Sequence, residues 1–389
     1  MNESESQRAC VRETVAYRHL YLHVPFCARR CSYCDFSISV RRDVPVQAFV
    51  TAVANELALR DASRQCDTLE TLYLGGGTPS RLGEDGVVAL LRTVRNAVRI
   101  ASDAEVTLEA NPEDITASAV RAWRDAGITR LSIGIQSFDD RVLSWMHRVH
   151  NADTARRAIG IARAQGLDAF SVDLIFAIPD ALARDWQRDV DETLALDPNH
   201  VSLYGLTIEP HTPLGKWAAR GDAHESPEER YEAEFLAAHA SLVSAGFDHY
   251  EVSNFAKPGQ RALHNSAYWT GAPYLGIGPS AHGFDGNERR WNIAAYAAWE
   301  RAVDQRRDPI GGAENLSVEN RIAETVYLGL RTADGLSVTH DEHALVSPWL
   351  TEGWVEWNGD RVSPRLRCTP YGWLRLDSLA ASLTAIRSR

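Results

Sequence analysis

The feature that most constrains the fold is a repeated alternation of strand-like runs and helical segments over the first half of the chain. Six β-type runs recur, at residues 19–24, 71–74, 105–109, 130–135, 169–176 and 200–207. The segments between them carry apolar residues at helical spacing, as at Val46, Phe49, Val50, Val53 and Leu57. Alternating strands and helices build a parallel sheet with right-handed crossovers. The sequence therefore predicts an α/β fold with a partial (β/α)6 barrel.

The pattern changes from about residue 283 onward. Residues 319–331 read as an amphipathic helix, and residues 355–386 read as a short hairpin followed by a helix. We therefore predict an N-terminal extension over residues 1–17, a core over residues 18–285, and a smaller C-terminal domain over residues 286–389. The last of these is expected to be helical or winged-helix-like.

Three of the six cysteines fall within eight residues, directly after the first predicted strand. Cys27, Cys31 and Cys34 have the spacing C-x3-C-x2-C. Thiolates on one such loop can hold three irons of a [4Fe–4S] cubane, which leaves the fourth iron open for the amino and carboxylate groups of S-adenosylmethionine (SAM). The alternative is a structural zinc site, which needs a fourth ligand such as His23 or Cys66.

Polar and glycine residues follow the other predicted strands. Parallel β/α folds place their active sites at the carboxyl ends of the strands, so these residues are expected to surround one site. Gly75, Gly76 and Gly77 follow the second strand and would present backbone groups to a ligand. Alone, a triple glycine is also typical of an ordinary tight turn, and it matches neither dinucleotide nor phosphate-loop fingerprints.

Charge and hydrophobicity argue against a nucleic-acid partner, a membrane span and a secretory signal. The net charge is −11, whereas a nucleic-acid surface needs clustered Lys and Arg, so no nucleic-acid partner is expected. No stretch reaches the roughly 18 apolar residues of a membrane span. The N-terminus is polar and lacks the apolar segment of a secretory signal, so a cytoplasmic location is expected.

Taken together, the motifs resemble those of one branch of the radical SAM superfamily. That branch contains oxygen-independent coproporphyrinogen III dehydrogenases (HemN) and haem chaperones (HemW). The motifs appear in family order over about residues 20–285: YLHVPFCARRCSYCDF, YLGGGTPS, VTLEANPED, RLSIGIQSFDD, HRVHN, VDLIFAIP, HVSLYGLTIEPHTPL, HNSAYW and LGIGPSAHG. The resemblance makes residues 18–285 a radical SAM core that includes the segment with HNSAYW, and residues 286–389 a HemN-type C-terminal domain.

The resemblance also implies residue roles. Cys27, Cys31 and Cys34 would hold the cluster. The residues implied to bind SAM are Tyr21, Tyr33, Gly76, Gly77, Thr78, Glu109, Gln136, Arg148 and Asp173. Within this set, Tyr33 would lie near the adenine, and Gly76, Gly77 and Thr78 would bind the methionine part.

Three features favour the chaperone branch over the dehydrogenase branch. The dehydrogenases carry a fourth cysteine where this chain has Phe36, and they have a longer segment before the cysteines. HNSAYW matches the HNxxYW motif of the haem chaperones. The resemblance therefore implies haem binding by His264, Asn265, Tyr268 and Trp269, either as ligands or as pocket walls, and haem transfer to cytochromes or respiratory enzymes. It assigns no settled role to SAM cleavage.

Two alternatives remain open from the sequence. One is a porphyrin-directed radical SAM enzyme such as a coproporphyrinogen III dehydrogenase, and the other is a non-radical metal-binding module. The chain also departs from the family pattern DLIxGLPGQ, because Ala177 and Asp180 stand where the family has glycines. The turn after the fifth strand is therefore expected to differ in shape, with an added charge near the pocket.

Overall fold

The computed structural model describes residues 16–359 and 364–389. Most of the predicted N-terminal extension, with Cys10, and the turn of the predicted C-terminal hairpin lie outside the described residues. Within the described residues the strands are β1 (Tyr17–Val24), β2 (Phe26–Cys27), β3 (Ser39–Val40), β4 (Cys66–Gly76), β5 (Ile100–Ala110), β6 (Arg130–Gln136), β7 (Phe170–Phe176), β8 (His200–Gly205), β9 (Asp248–Glu251), β10 (Asn254–Ala256), β11 (Leu275–Ile277), β12 (His282–Phe284), β13 (Glu288–Asn292), β14 (Ile310–Asn315), β15 (Leu336–Ser337), β16 (Val355–Asn358) and β17 (Arg365–Cys368).

Helices connect these strands and cover the outer face of the main sheet. The α-helices are α1 (Val46–Leu59), α2 (Ala62–Gln65), α3 (Gly83–Ala97), α4 (Ala117–Ala126), α5 (Asp140–Trp145), α6 (Ala152–Ala164), α7 (Trp186–Ala195), α8 (Pro213–Ala219), α9 (Glu228–Ser244), α10 (Leu263–Trp269), α11 (Tyr296–Asp304), α12 (Val318–Arg331), α13 (His343–Thr351), α14 (Pro370–Trp373) and α15 (Leu376–Arg387). Short 3-10 turns lie at Pro79–Leu82, Pro112–Asp114, Asp180–Leu182 and His340–Glu342. Among the described residues, no helix is both long and apolar enough to cross a lipid bilayer.

The main sheet has nine strands in the order β11-β1-β4-β5-β6-β7-β8-β10-β9. All six predicted strands are present, and they are parallel neighbours in chain order. The edge strands β11 and β9 lie at opposite ends of this order, so the barrel is partial, as predicted. The sequence did not predict β11, which pairs parallel to β1, or the antiparallel pair β10 and β9 beside β8.

Alternation along the strands separates an apolar outer face from a polar interior. In β1, Leu20, Leu22 and Val24 are fully buried, whereas Tyr21 and His23 lie on the other face. Successive strand residues point to opposite faces, so one set packs against the helices and the other lines the barrel. The interior surface is therefore polar enough to bind a charged ligand.

The buried carboxylate of Glu56 fastens α1 to the segment that follows β11. Its Oε2 accepts hydrogen bonds from the Gly278 backbone N–H at 2.9 Å and from Trp299 Nε1 at 2.8 Å. Its Oε1 accepts from Asn292 Nδ2 at 2.5 Å. Burial raises the pKa of Glu56 to about 7, although these donors oppose the rise.

The C-terminal part contains two small antiparallel sheets, β12-β13-β14 and β15-β17-β16. As predicted, a hairpin (β16 and β17) precedes a C-terminal helix, α15, which packs on α12. β12 and β13 pair across the predicted domain boundary at residues 285 and 286. The three-region division of the chain stays a prediction.

Candidate active site

A cavity of about 450 Å³ opens at the carboxyl ends of the six parallel strands. Its wall includes all three clustered cysteines and eight of the nine residues implied to bind SAM. These residues are Cys27, Cys31, Cys34, Tyr33, Gly76, Gly77, Thr78, Glu109, Gln136, Arg148 and Asp173. The parallel topology explains this convergence, because the carboxyl ends of neighbouring strands meet at one edge of the sheet.

The cysteine loop is held against the barrel by backbone hydrogen bonds. The Ser32 N–H donates to the Met146 carbonyl at 3.1 Å, and the Ser32 carbonyl accepts from the Leu214 N–H at 2.8 Å. Cys27 Sγ lies 3.3 Å from Thr78 Oγ1, which ties the loop to the glycine segment after β4. Burial raises the pKa of the Cys27 thiol, and that of Cys34 to about 11.

The donor set for a zinc ion is incomplete in the described residues. The ring of His23 is engaged at both nitrogens, by Tyr21 Oη at 3.1 Å and the Ser37 carbonyl at 3.0 Å. Cys66 begins β4, at the opposite end of that strand from Gly76. Among the side chains that the structure describes, no three of the types His, Cys, Asp and Glu converge on a single metal position.

Arg148 connects the cysteine loop to the ends of two strands. Its Nη1 lies 3.5 Å from Cys31 Sγ, and its Nη2 donates to Asn111 Oδ1 at 2.7 Å and to the Gly134 carbonyl at 2.6 Å. Burial lowers the pKa of Arg148, but the neighbouring Tyr33, Cys31 and Glu113 raise it by more, so the guanidinium stays charged. A fixed positive charge therefore faces the thiols.

Glu109 is the acceptor at the glycine segment. Its Oε2 accepts from the Gly76 N–H at 3.0 Å, and its Oε1 accepts from Tyr73 Oη at 2.8 Å. Burial raises the pKa of Glu109 to about 7. Gly76 has φ of +108°, and a Cβ there would lie 2.5 Å from the His23 ring. Only glycine allows the backbone to pass this close.

Asp173 lies in a hydroxyl network at the centre of the barrel. It accepts hydrogen bonds from Ser132 Oγ at 2.8 Å and Ser171 Oγ at 3.0 Å. Burial raises its pKa. Gln136, which ends β6, has φ of +71°. That left-handed backbone is uncommon for a residue with a Cβ, and such strain often accompanies functional positions.

Tyr21 is the one residue implied to bind SAM that does not line the cavity. It lies deeper in the barrel, where its ring stacks on Tyr73 at a centroid distance of 6.1 Å and on His264 at 6.5 Å. Tyr21 therefore stands between the cavity and the helix that carries the HNSAYW motif.

That motif forms α10, which lies beneath the barrel. Glu105 accepts hydrogen bonds from the first two N–H groups of this helix, Leu263 and His264, both at 2.9 Å. A carboxylate at a helix N-terminus satisfies donors that have no partner within the helix.

His264 is 1% exposed, and both of its ring nitrogens have partners. Nδ1 lies 2.7 Å from Thr71 Oγ1, and Nε2 lies 2.8 Å from Tyr268 Oη. The ring stacks on Tyr73 at 5.1 Å, and burial lowers the pKa of His264 to about 3. The imidazole is therefore neutral and faces the barrel interior.

Tyr268 and Trp269 face a second cavity of about 840 Å³, between α10, α12 and α15. Aromatic side chains from several elements share its wall, namely Tyr268, Trp269, Tyr274, Phe284 and Tyr327. Asn265 does not line it. The structure thus divides the motif: His264 points inward, whereas Tyr268 and Trp269 border a large aromatic cavity.

The two departures from the family pattern have local explanations. Ala177 has φ of +57°, so the chain keeps a left-handed turn here despite the Cβ. Its N–H donates to Glu234 Oε2 at 2.7 Å, which helps to hold that turn. Asp180 forms an ion pair with Arg230 and does not line the cysteine cavity, so its charge is balanced away from the site.

Several wall residues were not predicted from the sequence. Asn111, Ser132 and Tyr204 line the cysteine cavity. The signal for Asn111 was its position just after a strand end, in the same EANP segment as Glu109. Ser132 and Tyr204 lie within strands, so only the face that each presents decides whether it lines the cavity.

The Radical SAM superfamily model matches residues 21–192. A heme chaperone HemW of Mycobacterium tuberculosis is 36% identical over 349 residues, which cover 88% of this chain and 90% of that protein. The HemW of Bacillus subtilis is 32% identical and covers 82% of this chain and 84% of its own length. A bovine relative, radical S-adenosyl methionine domain-containing protein 1, mitochondrial, is 34% identical over 94% of this chain and 86% of its own.

Among solved structures, coproporphyrinogen III oxidase (HemN) from Escherichia coli, described as a radical SAM enzyme, superposes with a TM-score of 0.80. The match covers 97% of this chain and 92% of the other at 20% sequence identity. At that identity the likeness establishes the fold, and it extends through the C-terminal part of the chain.

Proposed function

The chain belongs to the HemW family of haem chaperones within the radical SAM superfamily, and from this membership we propose that it binds haem, carries a SAM-binding [4Fe–4S] cluster and passes haem to acceptor haemoproteins. One observation supports the site assignment above all: the clustered cysteines and eight residues implied to bind SAM line one cavity.

The residues around that cavity fit a cluster with a bound SAM. Cys27, Cys31 and Cys34 supply three thiols on one loop, and the glycine segment leaves space where side chains would collide. A Cβ on Gly77 would lie 2.7 Å from the Pro25 backbone, and a Cβ on Gly76 would collide with the His23 ring. When both groups are bound, the cluster supplies the electron that a radical SAM protein delivers to the sulfonium.

We assign the protein's own polar groups to holding SAM. Arg148 is fixed by Asn111 and the Gly134 carbonyl, so its charge can pair with the SAM carboxylate without rearrangement. Glu109, already hydrogen-bonded to the Gly76 N–H, is placed to accept from the ammonium group. Asp173 can accept from ribose hydroxyls through the oxygens that now bind Ser132 and Ser171.

We assign haem to the second cavity, on the far side of α10. Its volume of about 840 Å³ lies within the range of small-molecule sites, about 300–1,000 Å³. Aromatic rings such as Tyr268 and Trp269 can pack on a porphyrin face. The haem acceptors are expected to be cytochromes or respiratory enzymes, which receive haem directly from this site.

The proposal is tested on protein reconstituted with iron and sulfide without oxygen. The wild type is expected to hold one [4Fe–4S] cluster and to bind one haem in a saturable absorbance titration. Replacing Cys27, Cys31 and Cys34 together by serine should abolish the iron and sulfide content, while the control Cys368→Ser, at a buried cysteine outside the cavity, should not. Transfer is followed by mixing haem-loaded protein with a haem-free cytochrome. A chain that never saturates with haem would refute the chaperone assignment.

A further inference from the structure

Two sulfurs of the clustered cysteines lie within hydrogen-bond distance of a donor from another part of the chain. Thr78 Oγ1 lies 3.3 Å from Cys27 Sγ, and Arg148 Nη1 lies 3.5 Å from Cys31 Sγ. A thiolate can only accept, so both contacts run from the donor to the sulfur once iron has displaced the thiol protons. Hydrogen bonds to the sulfurs and nearby charge are among the factors that set the reduction potential of an iron–sulfur cluster.

Arg148 is the charged donor of the two, and its side chain is held in one orientation. Nη2 has two N–H bonds, and both are used: one donates to Asn111 Oδ1 at 2.7 Å and the other to the Gly134 carbonyl at 2.6 Å. The guanidinium is planar, so fixing Nη2 also fixes the direction of Nη1, which points towards Cys31. The hydrogen bond to the sulfur is therefore in place before a cluster is bound.

Asn111 is held in turn by the segments around it. Its backbone N–H donates to Ser80 Oγ at 3.2 Å, and its Nδ2 lies 3.4 Å from Glu113 Oε1 and 3.5 Å from Thr78 Oγ1. A side-chain amide that donates through Nδ2 presents its Oδ1 as the acceptor, so turning the amide over would lose these contacts. Asn111 therefore offers Arg148 an acceptor in a fixed position.

Within the described residues, the two arginines of the cysteine loop itself make no hydrogen bond to a sulfur. Arg29 is exposed, and Arg30 donates from Nη1 to the Cys34 backbone carbonyl at 3.1 Å. A charge that faces water is screened, whereas Arg148 lies in the cavity wall within hydrogen-bond distance of a cluster ligand. Reduction adds one negative charge to the cluster, so a fixed cation this close stabilises the reduced state more than the oxidised state.

We propose that Arg148 raises the reduction potential of the cluster through its hydrogen bond to Cys31 Sγ, and that Asn111 is a positioning residue that holds Arg148 in place for this role. The inference rests on the proposed cluster, and it adds to the assignment of Arg148 to the SAM carboxylate. In the step concerned, a low-potential one-electron donor is oxidised and the cluster passes from [4Fe–4S]²⁺ to [4Fe–4S]⁺. No covalent bond forms or breaks, and no proton moves.

The test uses SAM-free protein reconstituted with iron and sulfide, so that the role of Arg148 in binding SAM does not enter. The cluster is titrated without oxygen, with titanium(III) citrate and mediator dyes, and the reduced cluster is followed by electron paramagnetic resonance. Arg148→Gln, which carries no charge, should lower the midpoint potential by at least about 59 mV, equivalent to a tenfold loss in the equilibrium constant for one-electron reduction. An unchanged potential in this variant would overturn the proposal.

Arg30→Gln is the matched control, because it removes one positive charge from the cysteine loop without removing a donor to a sulfur. It should move the potential by less than half as much as Arg148→Gln, and equal shifts would show a general effect of charge and overturn the role of the hydrogen bond. Asn111→Ala keeps the charge of Arg148 but removes one acceptor of Nη2, so it should lower the potential by a smaller amount. That loss should largely disappear in the Arg148→Gln background, and two fully additive shifts would refute the positioning role.

Arg148→Lys covers the case in which Arg148→Gln does not assemble a cluster. Lysine keeps the charge, but a single ammonium group cannot bond Asn111, Gly134 and Cys31 with the fixed geometry of a guanidinium. Arg148→Lys and Asn111→Ala should then still show a lowered potential, and wild-type potentials in both would overturn the proposal. Iron and sulfide are measured in every sample. A wild type without a cluster would refute the proposed function together with this inference, whereas a complete cluster whose potential does not depend on Arg148 would refute this inference alone.

Discussion

Replacing Glu56 by glutamine should make the variant progressively more stable relative to the wild type as the pH rises. The carboxylate is fully buried and accepts three hydrogen bonds, from Gly278, Asn292 and Trp299. Burial raises its pKa from the ordinary value of 4.5 to about 7. The folded state therefore holds a proton on Glu56 that the unfolded state has already released at pH 6. A proton held only by the folded state makes folding less favourable as the pH rises.

The size of the effect follows from the two pKa values. A difference of about 2.5 between them corresponds to about 3 kcal/mol once both states are ionised. The contribution is fully present below pH 4.5 and is lost as the pH rises through 7. Between pH 5 and pH 8 the wild type should lose about 2–3 kcal/mol from this group. Glutamine does not titrate, so its contribution to the free energy of unfolding does not change with pH. An imperfect contact with Asn292 should lower the free energy of unfolding of the variant by about 1 kcal/mol at every pH.

The assay is the melting temperature of cluster-free protein, wild type and Glu56→Gln, at pH 5 and pH 8. Because each kcal/mol moves the melting temperature of a large domain by about 2 °C, the difference between the two proteins should change by about 5 °C over this range. Glu342→Gln is the matched control, because Arg387 holds the pKa of Glu342 below 4.5 and its contribution should be constant from pH 5 to pH 8. A difference for Glu56→Gln that does not change with pH would refute the reasoning.

Two further predictions concern the sites. Gly76→Ala should weaken SAM binding at least tenfold in calorimetry on reconstituted protein, because its φ is +108° and the new methyl would meet the His23 ring. Gly83→Ala, with φ of +74° and ψ of −174° but open space around it, should cost about 1–3 kcal/mol of stability and leave SAM binding unchanged. Equal losses of SAM binding in the two variants would contradict the steric argument. Glu105→Gln should remove one of the two hydrogen bonds at the start of α10, at a cost of about 1 kcal/mol. Amide exchange at residues 263 and 264 should then become faster, and unchanged exchange would show that Glu105 does not cap this helix.

The sequence predicts the parallel core well because its signals are local. The six strands alternate with amphipathic helices, and Gly127, Gly166 and Gly246, which follow the ends of α4, α6 and α9, all have positive φ. The strands β9, β10 and β11 were not predicted. They are only three or four residues long, so they show no periodicity of their own, and they exist because a neighbouring strand offers free backbone groups.

The candidate site was also predictable only in part. Residues at strand ends can be assigned to one cavity from topology alone, since parallel strands deliver their carboxyl ends to one edge. The orientation of His264 could not be predicted, because it depends on Thr71, which is 193 residues away in the chain, and on stacking with Tyr73. An HNxxYW motif shows which residues share a helix, but not which of them faces the cavity.

The covered edges of the main sheet determine which pieces of the chain can exist alone. β11 returns from beyond α10 to pair with β1, aligning Leu20 with Leu275, while β10 and β9 shield β8. A fragment cut after the last of the six parallel strands would leave unpaired the three residues of β1 that face β11 and the three residues of β8 that face β10. Such edges recruit other chains. The six parallel strands are therefore not expected to fold as an independent fragment. A chimera that takes these strands from one relative should take the segment through β11 from the same relative.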